Sequence, residues 1–203
     1  MTHEITKLPY EVFPLLVSFV HDLDPDESVL GAPVVTCVNH KSGVDSKAQI
    51  IQSEAPAGKT DVKVVIKGGV LDEIHKVTVQ LTTDITNVYE KDVFVLVQAK
   101  RRVGEDLIFK QVSEEFVISN DFAEDFESGD FNISHSVVAT ALKDGTDKTS
   151  TIISGSAIIG SKILMGLANG VGVNGEYYEL SFRSATTFGY KYERLVNMML
   201  KDI

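Results

Sequence analysis

Polar and apolar positions alternate along most of the chain with a period of two, the mark of half-buried β-strands rather than helices. The pattern is clearest from Ser161 to Leu200, where three runs are separated by turn residues, and the same order occurs earlier, from Val62 to Val97. In each copy a short apolar run reaches a glycine turn, at Gly68 and Gly69 first and at Gly166 and Gly170 second, and an alternating strand follows. Val77, Val79 and Leu81 answer to Tyr178, Leu180 and Phe182. A polar turn carries Thr86-Asn87 in one copy and Thr187-Phe188-Gly189 in the other, and a closing strand sets Tyr89, Val95 and Val97 against Tyr190, Val196 and Met198. A constant spacing of 101 aligns these pairs. A repeat this long implies two similar domains rather than a solenoid.

The remaining segments extend both copies. Phe13 to Val20 reads as a strand ended by Asp22-Leu23-Asp24-Pro25-Asp26-Glu27, and Pro33 to Val38 as the next. The loop Asn39 to Ser46 leads through Ala48 to Ile51, and Ala55-Pro56-Ala57-Gly58 reads as a turn. In the second copy Phe116-Val117-Ile118, the acidic stretch Asp121 to Asp130, Ser136 to Ala141 and Ile152-Ile153 take the corresponding places at spacings of 102 to 103. The fold expected is all-β: two tandem immunoglobulin-like antiparallel β-sandwich domains, without the Trp and the Cys pair of antibody domains. The division expected is 1–100, with Met1 to Glu11 as a flexible arm or contact segment, a connecting β-ribbon or linker over 101–115, and 116–203. Within Gln98 to Glu115, Val103-Gly104-Glu105-Asp106 reads as a hairpin turn between QAKRRV and LIFKQV.

Composition narrows the function. Hydrophobic residues make up 43% of the 203, enough for two small cores. Twenty-nine acidic against nineteen basic side chains give a net charge of −10, which repels phosphate backbones and anionic membrane surfaces. The one dense basic run, Lys100-Arg101-Arg102, is followed at once by Glu105 and Asp106, so neither nucleic acid nor membrane is expected as a partner. The apolar run Val12 to Val20 has Glu11 before it, Pro14 within it and no small-residue cleavage site after it, so it reads as a strand and not as a secretory leader. No run approaches the length needed to span a bilayer as a helix.

Residues with chemical potential occur, each in an incomplete pattern. Asp22, Asp24 and Asp26 have the spacing of the first ligands of a calcium loop, but Glu27 stands where the loop needs Gly and Pro33 where it needs a bidentate Glu. Glu124, Asp125, Glu127 and Asp130 could supply a glycosidase carboxylate pair, though a sequence cluster fixes no separation across a cleft. His3, His21, His40, His75 and His135 lack a close metal-ligand spacing. The single cysteine, Cys37, sits in PVVTCV, a packing context, with His40 at an odd separation that turns it to the opposite strand face. Gly166, Gly170, Gly172 and Gly175 precede a strand rather than the helix a phosphate cradle requires, and Ser154-Gly155-Ser156 lacks the nucleophile-elbow pattern. No catalytic, cofactor-binding or metal-binding residue is expected.

The repeated unit, with Asp24-Pro25-Asp26, Gly68-Gly69 and Thr186-Thr187-Phe188-Gly189, resembles the fibre-to-tail adaptor proteins of tailed bacteriophages over about Phe13 to Lys100 and Phe116 to Leu200. The first copy departs by lacking the turn glycine and offering Asn87 one position earlier, and the second keeps an acidic segment without the Asp-Pro-Asp. The resemblance implies a non-enzymatic virion component, assembled in the host cytoplasm, that joins tail fibres or other receptor-binding parts to the tail or neck. Its partners would be other virion proteins and further copies of itself. The alternative is a carbohydrate-binding or adhesin module, which needs an exposed aromatic strip drawn from Tyr177, Tyr178, Phe188, Tyr190 and Tyr192. A hydrolase using the acidic loops is the third reading.

Overall fold

The computed structural model describes residues 3–98, 107–111, 113–168, 170 and 172–201. The chain divides into two compact units, Met1–Arg101 and Arg102–Ile203. The first contains β1 (His3–Lys7), β2 (Phe13–Ser18), β3 (Val34–Asn39), the one-turn helix α1 (Lys47–Ile50), β4 (Ile51–Ala57), β5 (Asp61–Ile66), β6 (Ile74–Thr82) and β7 (Val88–Val97). One sheet has the order β1-β7-β6-β3 and the other β2-β5-β4. The second unit repeats this with β8 (Leu107–Lys110), β9 (Phe116–Asp121), a short 3-10 turn at Ala123–Asp125, β10 (Asn132–Ala141), α2 (Thr149–Ile152), β11 (Ile153–Ile159), β12 (Lys162–Leu167), β13 (Tyr177–Thr186) and β14 (Lys191–Leu200). Its sheets run β8-β14-β13-β10 and β9-β12-β11. Each unit is an immunoglobulin-like β-sandwich.

Alternation produces the cores. Along β6, His75, Val77, Val79 and Leu81 are buried while the residues between them are not. In the first unit Val77, Val79 and Leu81 join Val35 and Cys37 of β3, Val93, Val95 and Val97 of β7, and Val17, Val62, Val64 and Ile66 from the opposing sheet in one core. The second unit buries Leu180, Phe182, Val196 and Met198 with Ile163, Met165 and Leu167. Burying a side chain of this size is worth about 1.5–3 kcal/mol, so each sandwich has its own source of stability.

Four expectations are corrected. The segment read as a flexible arm or contact segment contains β1, which belongs to the first sheet and pairs in parallel with β7 from His3↔Val93 to Lys7↔Val97. Its polar sequence conceals the role because Ile5 alone packs on the core. Leu107 to Lys110, read as one side of a ribbon or as the added strand of a linker, is a strand, but its partner is β14 of the second unit, with which it pairs in parallel from Asn197↔Leu107 to Leu200↔Lys110. Residues 99–106, which include the expected turn Val103 to Asp106, lie outside the described residues. The expected turn at Ala55 to Gly58 comes later: β4 continues through Ala57, and Gly58-Lys59-Thr60 closes the hairpin. Gly166 likewise lies within β12, opposite Gly155 and Val117.

The spacing between copies is also corrected. Thr83 donates its amide to the Asn87 carbonyl and Thr186 donates to that of Tyr190; Val97 donates to Glu73 and Leu200 to Glu176. Each of these equivalences has a spacing of 103, so His75 corresponds to Tyr178, Val77 to Leu180 and Tyr89 to Tyr192. The spacing of 101 holds only at β5 and β12, as in Val62 and Ile163. A shift of two residues leaves every side chain on the same face, so alternation alone cannot distinguish 101 from 103. The changes in spacing fall in loops, where insertions disturb neither core nor ladder.

Candidate functional site

The sequence candidates are dispersed over structural roles. Asp22, Asp24 and Asp26 are exposed. Asp22 pairs with Lys91 at 2.6 Å, and the Asp24 amide donates to Glu27 at 3.1 Å. The buried carboxylate of this turn is Glu27, which accepts hydrogen bonds from the Thr83 hydroxyl and from the Tyr89 hydroxyl at 2.9 Å. It ties the β2–β3 connection to the turn between β6 and β7.

In the second unit the acidic loop is bound in the same way. Asp125 holds Arg194 at 2.8 Å, Glu127 accepts from the Tyr190 hydroxyl at 3.1 Å, and Asp130 accepts from the Thr187 hydroxyl and the Phe188 and Phe131 amides. Burial pulls the Asp130 pKa up, but hydrogen bonds from Thr186, Thr187 and the two amides outweigh it and hold the carboxyl below its ordinary value. Asp125, Glu127 and Asp130 therefore each have a protein partner, and Glu124 is exposed on the short 3-10 turn. Among the described residues no group of three or more His, Cys, Asp or Glu side chains is placed to hold a metal ion.

One cluster of reactive side chains escaped the sequence reading. The Cys37 thiol lies 3.3 Å from the Ser46 hydroxyl, which lies 2.9 Å from Nδ1 of His75, whose Nε2 is 3.2 Å from a Glu73 carboxylate oxygen. The residues come from β3, the loop before α1, β6 and the turn before β6, so only the Glu73–His75 pair is local and the chain that joins it to Ser46 and Cys37 has no sequence spacing to reveal it. The order resembles a catalytic relay, but its geometry is that of packing. Cys37 and His75 are buried; burial pushes the Cys37 thiol up and lowers the His75 pKa despite the opposing pull of Glu73. A buried thiol with a raised pKa is not a thiolate nucleophile at neutral pH. In the second unit Tyr178 replaces His75 and donates to Glu176, while Ala139 stands in the place of Cys37.

Two buried lysines recur in both units. Lys7 donates to the carbonyls of Leu8 and Gly68, and Lys110 to that of Gln111 at 2.9 Å. The next turn is clamped by Glu11 on the Leu8 amide and by Glu114 on the Gln111 amide. Burial lowers the Lys7 pKa to about 8, against the attraction of Glu11. Its ammonium is enclosed, which denies it a substrate.

Among the described residues a concavity recurs in both units. At the same end of each β3- or β10-bearing sheet lies a shallow groove of about 550 Å³, lined by His40, Lys41, Glu73 and Ile74 in the first unit and by Leu142, Lys143, Glu176 and Tyr177 at the corresponding positions of the second. The five aromatic residues considered as a strip do not form one. Tyr178, Tyr190 and Tyr192 are buried, whereas Tyr177 is exposed at the start of β13 and Phe188 in the turn that follows its other end.

No family model matches the sequence. Neither does any curated protein. Solved structures similar to it include titin A168169, at 12% identity, covering 99% of this chain and 95% of that one with a TM-score of 0.31. SporoSAG from Toxoplasma gondii is similar at 10% identity, 98% and 96% coverage and a TM-score of 0.30. The Ig1-2 module of the Drosophila receptor protein tyrosine phosphatase DLAR is similar at 6% identity, 99% and 95% coverage and a TM-score of 0.29. At such scores these likenesses add nothing to what strand order establishes.

Proposed function

We propose that the chain is a non-enzymatic structural component of a tailed-phage virion that adapts fibres or other receptor-binding parts to the tail or neck. The observation that carries this reading is the use of the chain's reactive groups. Cys37, Ser46, His75, Lys7 and Lys110 are all buried and engaged inside the sandwiches. Among the described residues the surface offers sheet edges, turn tips and the paired grooves, which suit rigid docking of one protein on another. The turns that carry the adaptor resemblance also behave as fixed geometry: Gly68, Gly69 and Gly189 all have positive φ, and Asp130 locks the last of them to the acidic loop.

The test immobilises the full chain and offers it dissociated tail and fibre proteins of a phage carrying this gene, alongside a glycan array. Stoichiometric capture of a tail, neck or fibre protein is expected. Glycan binding by the chain alone, without such capture, would instead support the carbohydrate-binding module.

A further inference from the structure

The two units differ at one edge. β4 and β11 occupy the same outer position of their three-stranded sheets, with the same irregularity after their first residue. In β4, IQSEAPA, the edge carries Glu54, ion-paired to Lys47 at 2.6 Å, and Pro56. A charge and a proline on an edge strand are two devices by which natural sheets prevent that edge from pairing with another chain. In β11, ISGSAII, Ser156 stands in the place of Glu54 and Ile158 in that of Pro56. The adjacent edge strand β10, NISHSVVATA, is also without Asp, Glu, Lys, Arg or Pro over ten residues. Phe131, Ile133 and Ile159 are 59–64% exposed around this flank, and Asn132 holds β10 to the β11 turn through the Gly160 carbonyl.

We propose that β11 is a self-association edge, whose partner is β11 of a second copy in antiparallel register. Charge selects that occupant. Two chains of net charge −10 repel wherever acidic surfaces meet, and β11 and β10 together offer an edge on which they meet without charge. The strand also complements itself: with Ser156 opposite its counterpart, Ile153 of each copy faces Ile159 of the other, Ser154 faces Ile158, and Gly155 faces Ala157. The result joins two three-stranded sheets into one of six strands. This deepens the assembly reading by naming the surface that copies of the chain share, but its test needs no other virion protein, so either can fail alone.

The full-length chain and the double variant Ser156→Glu/Ile158→Pro, which installs the residues that β4 already carries, are compared by light scattering over a concentration series. The wild type is expected to rise from the mass of one chain to that of two, and the variant to stay at one with an unchanged circular dichroism spectrum. A wild type that remains monomeric throughout, or a folded variant that dimerises as the wild type does, overturns the proposal. If the variant misfolds, amide hydrogen exchange of the wild type decides: protection of residues 153–159 that increases with concentration, with none gained over 51–57, supports the edge pairing, and its absence overturns it.

Discussion

His75 shows what a single residue contributes through its surroundings. In the folded chain its ring is buried between Ser46 and Glu73, and burial disfavours the imidazolium. The unfolded chain releases it to an ordinary pKa of about 6.5. Below that pH the unfolded state binds a proton that the folded state refuses, so stability falls as pH drops. His75→Tyr, which copies Tyr178 of the second unit, removes that group. Denaturant titrations at pH 7.5 and 5.5 should show a larger loss of stability for the wild type than for the variant; equal losses would assign the acid sensitivity to carboxylates alone. The sequence revealed part of this cluster. PVVTCV marks Cys37 as a packed residue, because apolar neighbours and alternation are local properties. The partner that completes the cluster is not local: Glu73 stands two residues before His75, but Ser46 reaches it from the loop before α1, 29 residues away.

At the scale of elements, the turn between β6 and β7 was legible in type and misplaced in detail. The adaptor-like pattern puts a tolerant residue, Asn87, near the turn, but positive φ falls on Thr86, at +67°, in the place of Gly189, at +80°. A β-branched residue in that region is strained by about 1–2 kcal/mol. Thr86→Gly is therefore expected to stabilise the first unit by about 1 kcal/mol after the added freedom of the unfolded chain is subtracted. An unchanged or lowered thermal midpoint would mean that the Thr86 side chain offsets its strain. Strand identities were readable because hydrophobic spacing sets them. Register was readable only to within two residues, for the reason given by β6 and β13; β1 was concealed by a short polar sequence, and β8, read as one side of a hairpin, was given the wrong partner because its pairing is made by the far end of its unit.

At the scale of the molecule, each unit closes its own two sheets around its own core. Fragments 1–101 and 102–203 should therefore each unfold cooperatively when expressed alone, with sigmoidal denaturant curves followed by circular dichroism. A fragment without a cooperative transition would show that its core needs the other half. The parallel edges add a consequence of a different kind. Each unit starts on β1 or β8 and ends on the neighbouring β7 or β14, running in the same direction. Tension applied between the two ends of a unit thus slides those strands lengthwise past each other and strains all their rungs together, whereas an antiparallel pair joined at one end would unzip rung by rung. A link built this way resists being pulled apart far better than its thermodynamic stability alone would suggest.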